Sequence, residues 1–108
     1  MIRIIWEFTV KRDAIALFEQ TYGPDGTWAT LFRAYPGYHG TTLLRDAKNP
    51  QRFVTIDRWE SSAQYVAMHE AARDDYARLD AACEDWTESE RKIGEFTDCV
   101  TLSSAAHR

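Results

Sequence analysis

The stretch QRFVTIDRWESSAQYVAMHEA, residues 51–71, decides the fold, because two kinds of local order meet inside it. Its first half, QRFVTIDRWE, is rich in β-branched and aromatic residues and reads as a strand. Ser61 and Gln64 then stand in the S-x-x-Q relation of a capping box, which starts a helix. Along that helix Tyr65, His69, Ala72, Tyr76 and Leu79 recur at helical spacing, while Arg73, Asp74, Asp75 and Arg78 fall largely elsewhere. His69 therefore belongs to the inward stripe.

Working outward, YHGTTLLRD precedes the first half across the turn-forming AKNP, and the two runs predict an antiparallel hairpin. At the N-terminus Ile2, Ile4, Trp6, Phe8 and Val10 alternate with Arg3, Ile5, Glu7 and Thr9, the pattern of another strand. Asp13 is placed to cap a helix carrying Leu17, Phe18, Thr21 and Tyr22, which GPDG at 23–26 stops. Asp25 is the expected cap of a second helix, on which Trp28, Leu31, Phe32 and Tyr35 form a stripe that ends at Pro36 and Gly37. Downstream, TESE at 87–90 suits a short capped turn, IGEFTDCVTL a last strand, and SSAAHR a frayed tail.

The order βααββαβ predicts an α+β domain over 1–102 with a flexible tail at 103–108. It fits a ferredoxin-like, four-stranded antiparallel sheet with its helices on one face. The other face would be bare and would show some of Ile5, Leu43, Val54, Ile56, Phe96 and Val100, or their apolar neighbours. A second copy pressing sheet against sheet in a two-fold homodimer would cover it.

Composition narrows the function. The chain has 108 residues, enough for one core, and a formal charge of −4 with Arg and Lys scattered among Asp and Glu. That leaves no basic stripe for a nucleic acid. No apolar run is long enough for a membrane span or a signal peptide, so a cytoplasmic setting is expected. Cys83 and Cys99 stand in no metal or redox spacing and are expected to be reduced and half-buried; no metal and no Gly-rich phosphate loop for a flavin is expected. Four Trp, five Tyr and five Phe must fill the core or line a cavity.

Three segments, YPGYHGTTLLRD, NPQRFVTIDRWES and YVAMHEAARDDYARLD, resemble the antibiotic biosynthesis monooxygenase (ABM) family. The PGY opening of the second strand and the Trp59-Glu60-Ser61 junction carry most of the likeness. The resemblance implies a dimeric α+β barrel with a cleft in each subunit between helices and sheet. Some relatives oxygenate phenols or quinols without flavin or metal, some degrade haem, and many have no known activity. The haem-degrading branch would call for an asparagine on the first strand with tryptophan and histidine in the cavity. This chain departs from that pattern, with Glu7 as the polar first-strand residue and no Trp in the helix from 62 before Trp86.

Cofactor-free oxygenation has a physical logic. Triplet dioxygen reacts slowly with closed-shell molecules, so the substrate itself must be electron-rich, as a phenolate is. The protein must supply a flat aromatic cavity, a group that takes the proton and holds the anion, and exclusion of water. Trp28, Phe32, Tyr65, Tyr76 and Trp6 are the candidate walls, His69 the candidate catalytic acid–base, and Arg45 a second group able to meet the substrate oxygen. The competing reading is a plain aromatic core with a histidine satisfied by a carbonyl, in a non-catalytic dimer that binds a hydrophobic small molecule or only packs its own rings. For Arg45, Asp46, Asp57 and Arg58 the simplest expectation is charge pairs at strand ends or at the dimer rim, and Trp59 is read as structural.

Overall fold

The alternation at the N-terminus forms β1 (Ile2–Val10), which buries Ile2, Ile4, Phe8 and Val10 and turns Arg3, Ile5, Glu7 and Thr9 the other way. The computed structural model describes residues 1–99, so the expected strand end at 100–102 and the tail at 103–108 lie outside the described residues. β1 is central in a fully antiparallel sheet of order β2-β3-β1-β4, built with β2 (Tyr38–Arg45), β3 (Arg52–Trp59) and β4 (Thr87–Thr97). With α1 (Ile15–Tyr22), α2 (Thr27–Arg33), α3 (Ser62–Ala71) and α4 (Arg73–Cys83) on one face, this is an α+β ferredoxin-like fold.

Several local expectations are corrected. Asp13 sits within a single 3-10 turn, Arg12–Ala14, and caps nothing; the backbone closes that corner itself, with Ala14 N donating to Lys11 O at 2.9 Å and Lys11 N to Trp86 O at 2.9 Å. Asp25 does not cap α2 either. Gly26 takes that position, and a Cβ there would lie 2.3 Å from Thr21 O, so only glycine lets the two helices approach so closely. Leu17 lies on the outer flank of α1 and is half exposed, whereas Phe18, Thr21 and Tyr22 are buried.

The capping box forms as expected, with Gln64 N donating to Ser61 Oγ at 3.2 Å. The helix it starts is divided in two at Ala72, whose φ of −97° and ψ of 13° leave the helical region while its side chain stays buried. No Pro or Gly marks this break. TESE at 87–90 is not a turn but the start of β4; the turn lies just before it, at Glu84–Trp86. β4 is an edge strand whose charges hide its alternation, and its pairing to β1 shifts register between Ile5 and Trp6 and again between Thr9 and Val10.

Register assigns the faces. Residues paired directly across strands share a face, so Trp6, Thr55 and Leu43 point to the helices, as do Ile4, Asp57 and Thr41. Leu43 is thus not on the bare face; Leu44 is, half exposed, beside Ile5, Val54, Ile56 and Phe96. In their midst Glu7 bonds Arg52 and Arg91, each at 2.6 Å.

Candidate active site

Between sheet and helices lies a cavity of about 180 Å³. β1 brings Trp6 and Phe8 to it, α1 Tyr22, and α2 Trp28 and Phe32. α4 adds Tyr76 and Asp80, one turn apart, β2 and β3 add Thr41, Thr55 and Asp57, and β4 adds Glu90. The rings brace one another: Trp28 meets the Tyr76 ring edge-on at 4.8 Å and Phe32 at 5.8 Å, and Trp6 stacks on Phe8 at 6.3 Å. Trp28 also brings a buried Nε1–H that has no hydrogen-bond partner among the described residues.

Asp57 is the chemical centre of this wall. Thr41 Oγ1 donates to its Oδ1 at 2.5 Å, which uses that hydroxyl's only proton, so Tyr38 OH must be the donor in its own 2.5 Å bond to Thr41. The result is a directed chain, Tyr38 to Thr41 to Asp57. Burial pushes the Asp57 carboxyl up from an ordinary 3.8 to about 6, against the opposing pull of Thr41 and the more distant Arg58. Arg58 offers no direct partner, since on the far face of the sheet its Nη1 donates to Thr42 Oγ1 at 2.9 Å. The expected strand-end charge pair is therefore corrected: Asp57 faces inward, and among the described residues only Asp46 of the four grouped there forms an ion pair, with Arg52 at 3.1 Å. The missed signal was parity, because an acidic residue two positions before an inward Trp59 must share its face.

The other expected site residues divide. Trp6, Trp28, Phe32 and Tyr76 are brought together in the wall; Tyr65, His69 and Arg45 are not part of it. Tyr65 is buried against Trp59, and burial pushes its hydroxyl up to about 12. The His69 ring packs against Tyr65 and Tyr76, 4.6 Å from each, and is not among the residues that line the cavity. Its half-buried imidazole is held below its ordinary pKa by burial first and Lys92 second, so it is neutral at pH 7. Arg45 lies at the hairpin end, over the Phe53 ring at 5.3 Å, with Nε donating to Pro50 O. Cys83 is buried rather than half-buried and Cys99 exposed; both are free thiols. Among the described residues no cluster of three or more His, Cys, Asp or Glu side chains is arranged to hold a metal ion, and no helix is long and apolar enough to cross a membrane.

A ferredoxin-like domain with a cavity between sheet and helices defines a class of small α+β proteins rather than one activity. The family comparison is specific: residues 1–74 match antibiotic biosynthesis monooxygenase, and the chain belongs to this ABM family. Among solved structures it is similar to SnoaB, described as a cofactor-independent oxygenase from Streptomyces nogalater, at 25% identity over 94% of this chain and 95% of that one, with a TM-score of 0.76. A Nitrosomonas europaea protein carrying the same family description has 21% identity over 93% of this chain and 100% of its own, with a TM-score of 0.67, and PA3566 from Pseudomonas aeruginosa has 15% identity over 92% and 94%, also at 0.67. At those lower identities the likeness is one of fold alone. A search of curated protein sequences gives no match.

Proposed function

We propose that this protein is a cofactor-independent monooxygenase of a phenol- or quinol-type aromatic small molecule, acting as a cytoplasmic homodimer with one site per subunit. The observation that carries the reading is Asp57, a carboxyl whose pKa of about 6 suits a general base near neutral pH, set in a wall of aromatic rings. Family membership and the likeness to a cofactor-independent oxygenase support it.

In this reading the Asp57 carboxylate takes the phenolic proton of a ligand lying flat among Trp6, Trp28, Phe32 and Tyr76. The protonated carboxyl then donates back to the phenolate, and Thr41 keeps the other carboxylate oxygen in place. The phenolate passes one electron to dioxygen, the resulting radical pair joins through a new C–O bond, and the peroxide anion takes back the Asp57 proton to give a hydroperoxide. Loss of water leaves a quinone-type carbonyl, so one oxygen atom enters the product and the other leaves as water. Ligand and dioxygen supply all the electrons. His69 serves as a positioning residue that holds the Tyr76 ring, and Arg45 has no part in the step.

Oxygen uptake with a panel of anthrones and hydroquinones, with no flavin or metal added, tests the proposal. One dioxygen consumed per product, one oxygen atom from labelled dioxygen in that product and no hydrogen peroxide released are expected, above the uncatalysed rate. Tight binding of these compounds without oxygen consumption would instead leave a binding protein.

The homodimer rests on the bare sheet face. Ile5 and Ile56 pair across β1 and β3 at its centre, with Leu44 and Phe96 half exposed around them. Light scattering at micromolar concentration is expected to give twice the 12.5 kDa chain mass. Ile56→Arg, which puts an unpartnered cation into the buried patch, should give the single-chain mass with an unchanged far-UV spectrum. A wild-type chain that scatters as one copy removes the dimer.

A further inference from the structure

The cavity wall carries three carboxyl groups, Asp57, Asp80 and Glu90, each from a different element, and no Lys, Arg or His among its described residues. Cations on the flanking elements, including Lys92 opposite Trp6 on β4, have partners of their own. Lys92 bonds Glu95 and lies over the Tyr65 ring, Arg91 crosses to Glu7 on the far face, and Arg78 bonds Asp75. Asp80 and Glu90 have no hydrogen bond or ion pair among the described residues, and burial together with the charges of Asp80 and Glu84 pushes the Glu90 carboxyl up. Negative charge is thus gathered where the cavity meets solvent, at the exposed Asp80 and Glu90, with no cation among the lining residues.

The acidic groups lie at two ends. Glu90 pairs with Phe8 of β1, and Asp57 with Ile4 from the other side. Four residues of strand separate these positions, roughly 13 Å along β1. Tyr76 lines the same cavity, on α4 one turn before Asp80. Between the ends stand rings whose negative π faces attract a cation. Carboxylates at one end of an aromatic box are the complement of an ammonium group, whereas an anionic substituent would meet repulsion with nothing to offset it.

We propose that the cavity selects an aromatic ligand that bears a protonated amine at the Asp80 and Glu90 end, with its reactive hydroxyl at Asp57. This rests on the cavity's being the ligand site, but it is tested by binding alone, without oxygen chemistry.

Three probes share one flat ring system: 6-(aminomethyl)-2-naphthol, 6-(hydroxymethyl)-2-naphthol and 6-hydroxy-2-naphthoate. Their Kd values, measured anaerobically at pH 7.5 by calorimetry, are expected to place the ammonium at least tenfold tighter than the alcohol and the carboxylate weakest. The double variant Asp80→Asn, Glu90→Gln should bring the ammonium to the level of the alcohol and leave the alcohol within about twofold of wild type. Added salt should weaken only the ammonium. Equal binding of ammonium and alcohol, or a cation preference that survives the double variant, overturns the charge selection and leaves the aromatic site standing. Failure of all three probes to bind overturns both.

Discussion

Asp57→Asn should lower kcat/KM for a phenolic substrate by at least about a hundredfold, the range that a positioned general base contributes, while making the folded protein more stable. The opposite signs have one cause. Burial raises the carboxyl from 3.8 to about 6, so between those pH values the folded chain holds a proton that the unfolded chain has lost. Stability contributed by this group is therefore full below about pH 4, falls as pH rises to about 6, and stays reduced above. Asparagine is never ionised and still accepts the Thr41 hydroxyl, so at pH 8 the variant should gain roughly 1 to 3 kcal/mol in urea denaturation, the upper figure being the full linkage. The wild-type kcat/KM should rise with pH around a midpoint near 6, and Asp57→Asn should flatten that profile. His69→Ala is the control: ligand-free, its imidazole packs against Tyr65 and Tyr76, so its loss should be smaller and should leave the midpoint in place. A loss as deep as that of Asp57→Asn, with an unshifted profile in the latter, would return the base to His69.

That contrast shows how far the sequence could be read. The sheet was legible because alternation on β1 and in the hairpin follows directly from which face is buried, and because the Ser61–Gln64 cap marks a boundary that local chemistry alone decides. β4 was mislocated at its start because it is an edge strand, held by backbone bonds to β1, and its exposed Glu88, Arg91 and Lys92 carry no apolar period. The break at Ala72 was invisible for another reason: alanine favours a helix, so nothing in the local sequence marks this buried position as the place where α3 stops.

At the site, the aromatic residues were legible as a set, and four of the five expected rings do meet in the wall. The carboxyl proposed as the base was not singled out. Helical offsets place His69 on the inward stripe, and its ring packs against Tyr76, a wall residue, without itself lining the cavity. Asp57 was overlooked because an acidic residue beside Arg58 suggests a pair, although adjacent strand residues point to opposite faces and cannot pair across the sheet.

Trp59 gives the largest stability effect. It is fully buried, meets Phe32, Tyr38 and Tyr65 at ring distances of 5.3 to 5.9 Å, and closes the sheet at the junction with α3. Trp59→Ala removes those contacts and leaves a void that the surrounding rings cannot fill, which should cost about 3 to 5 kcal/mol. Domains of this size have roughly 5 to 15 kcal/mol in all, so the variant should be marginal at 37 °C. Trp59→Phe separates shape from polarity. The indole Nε1 is buried and has no partner among the described residues, a burden of about 1 to 3 kcal/mol that phenylalanine does not carry. The loss of ring volume is then partly offset, and the cost should stay below about 2 kcal/mol, measured by urea denaturation at one fixed protein concentration so that association does not enter. If phenylalanine proves as costly as alanine, the indole N–H is satisfied in solution and its polarity, as well as its bulk, holds the junction together.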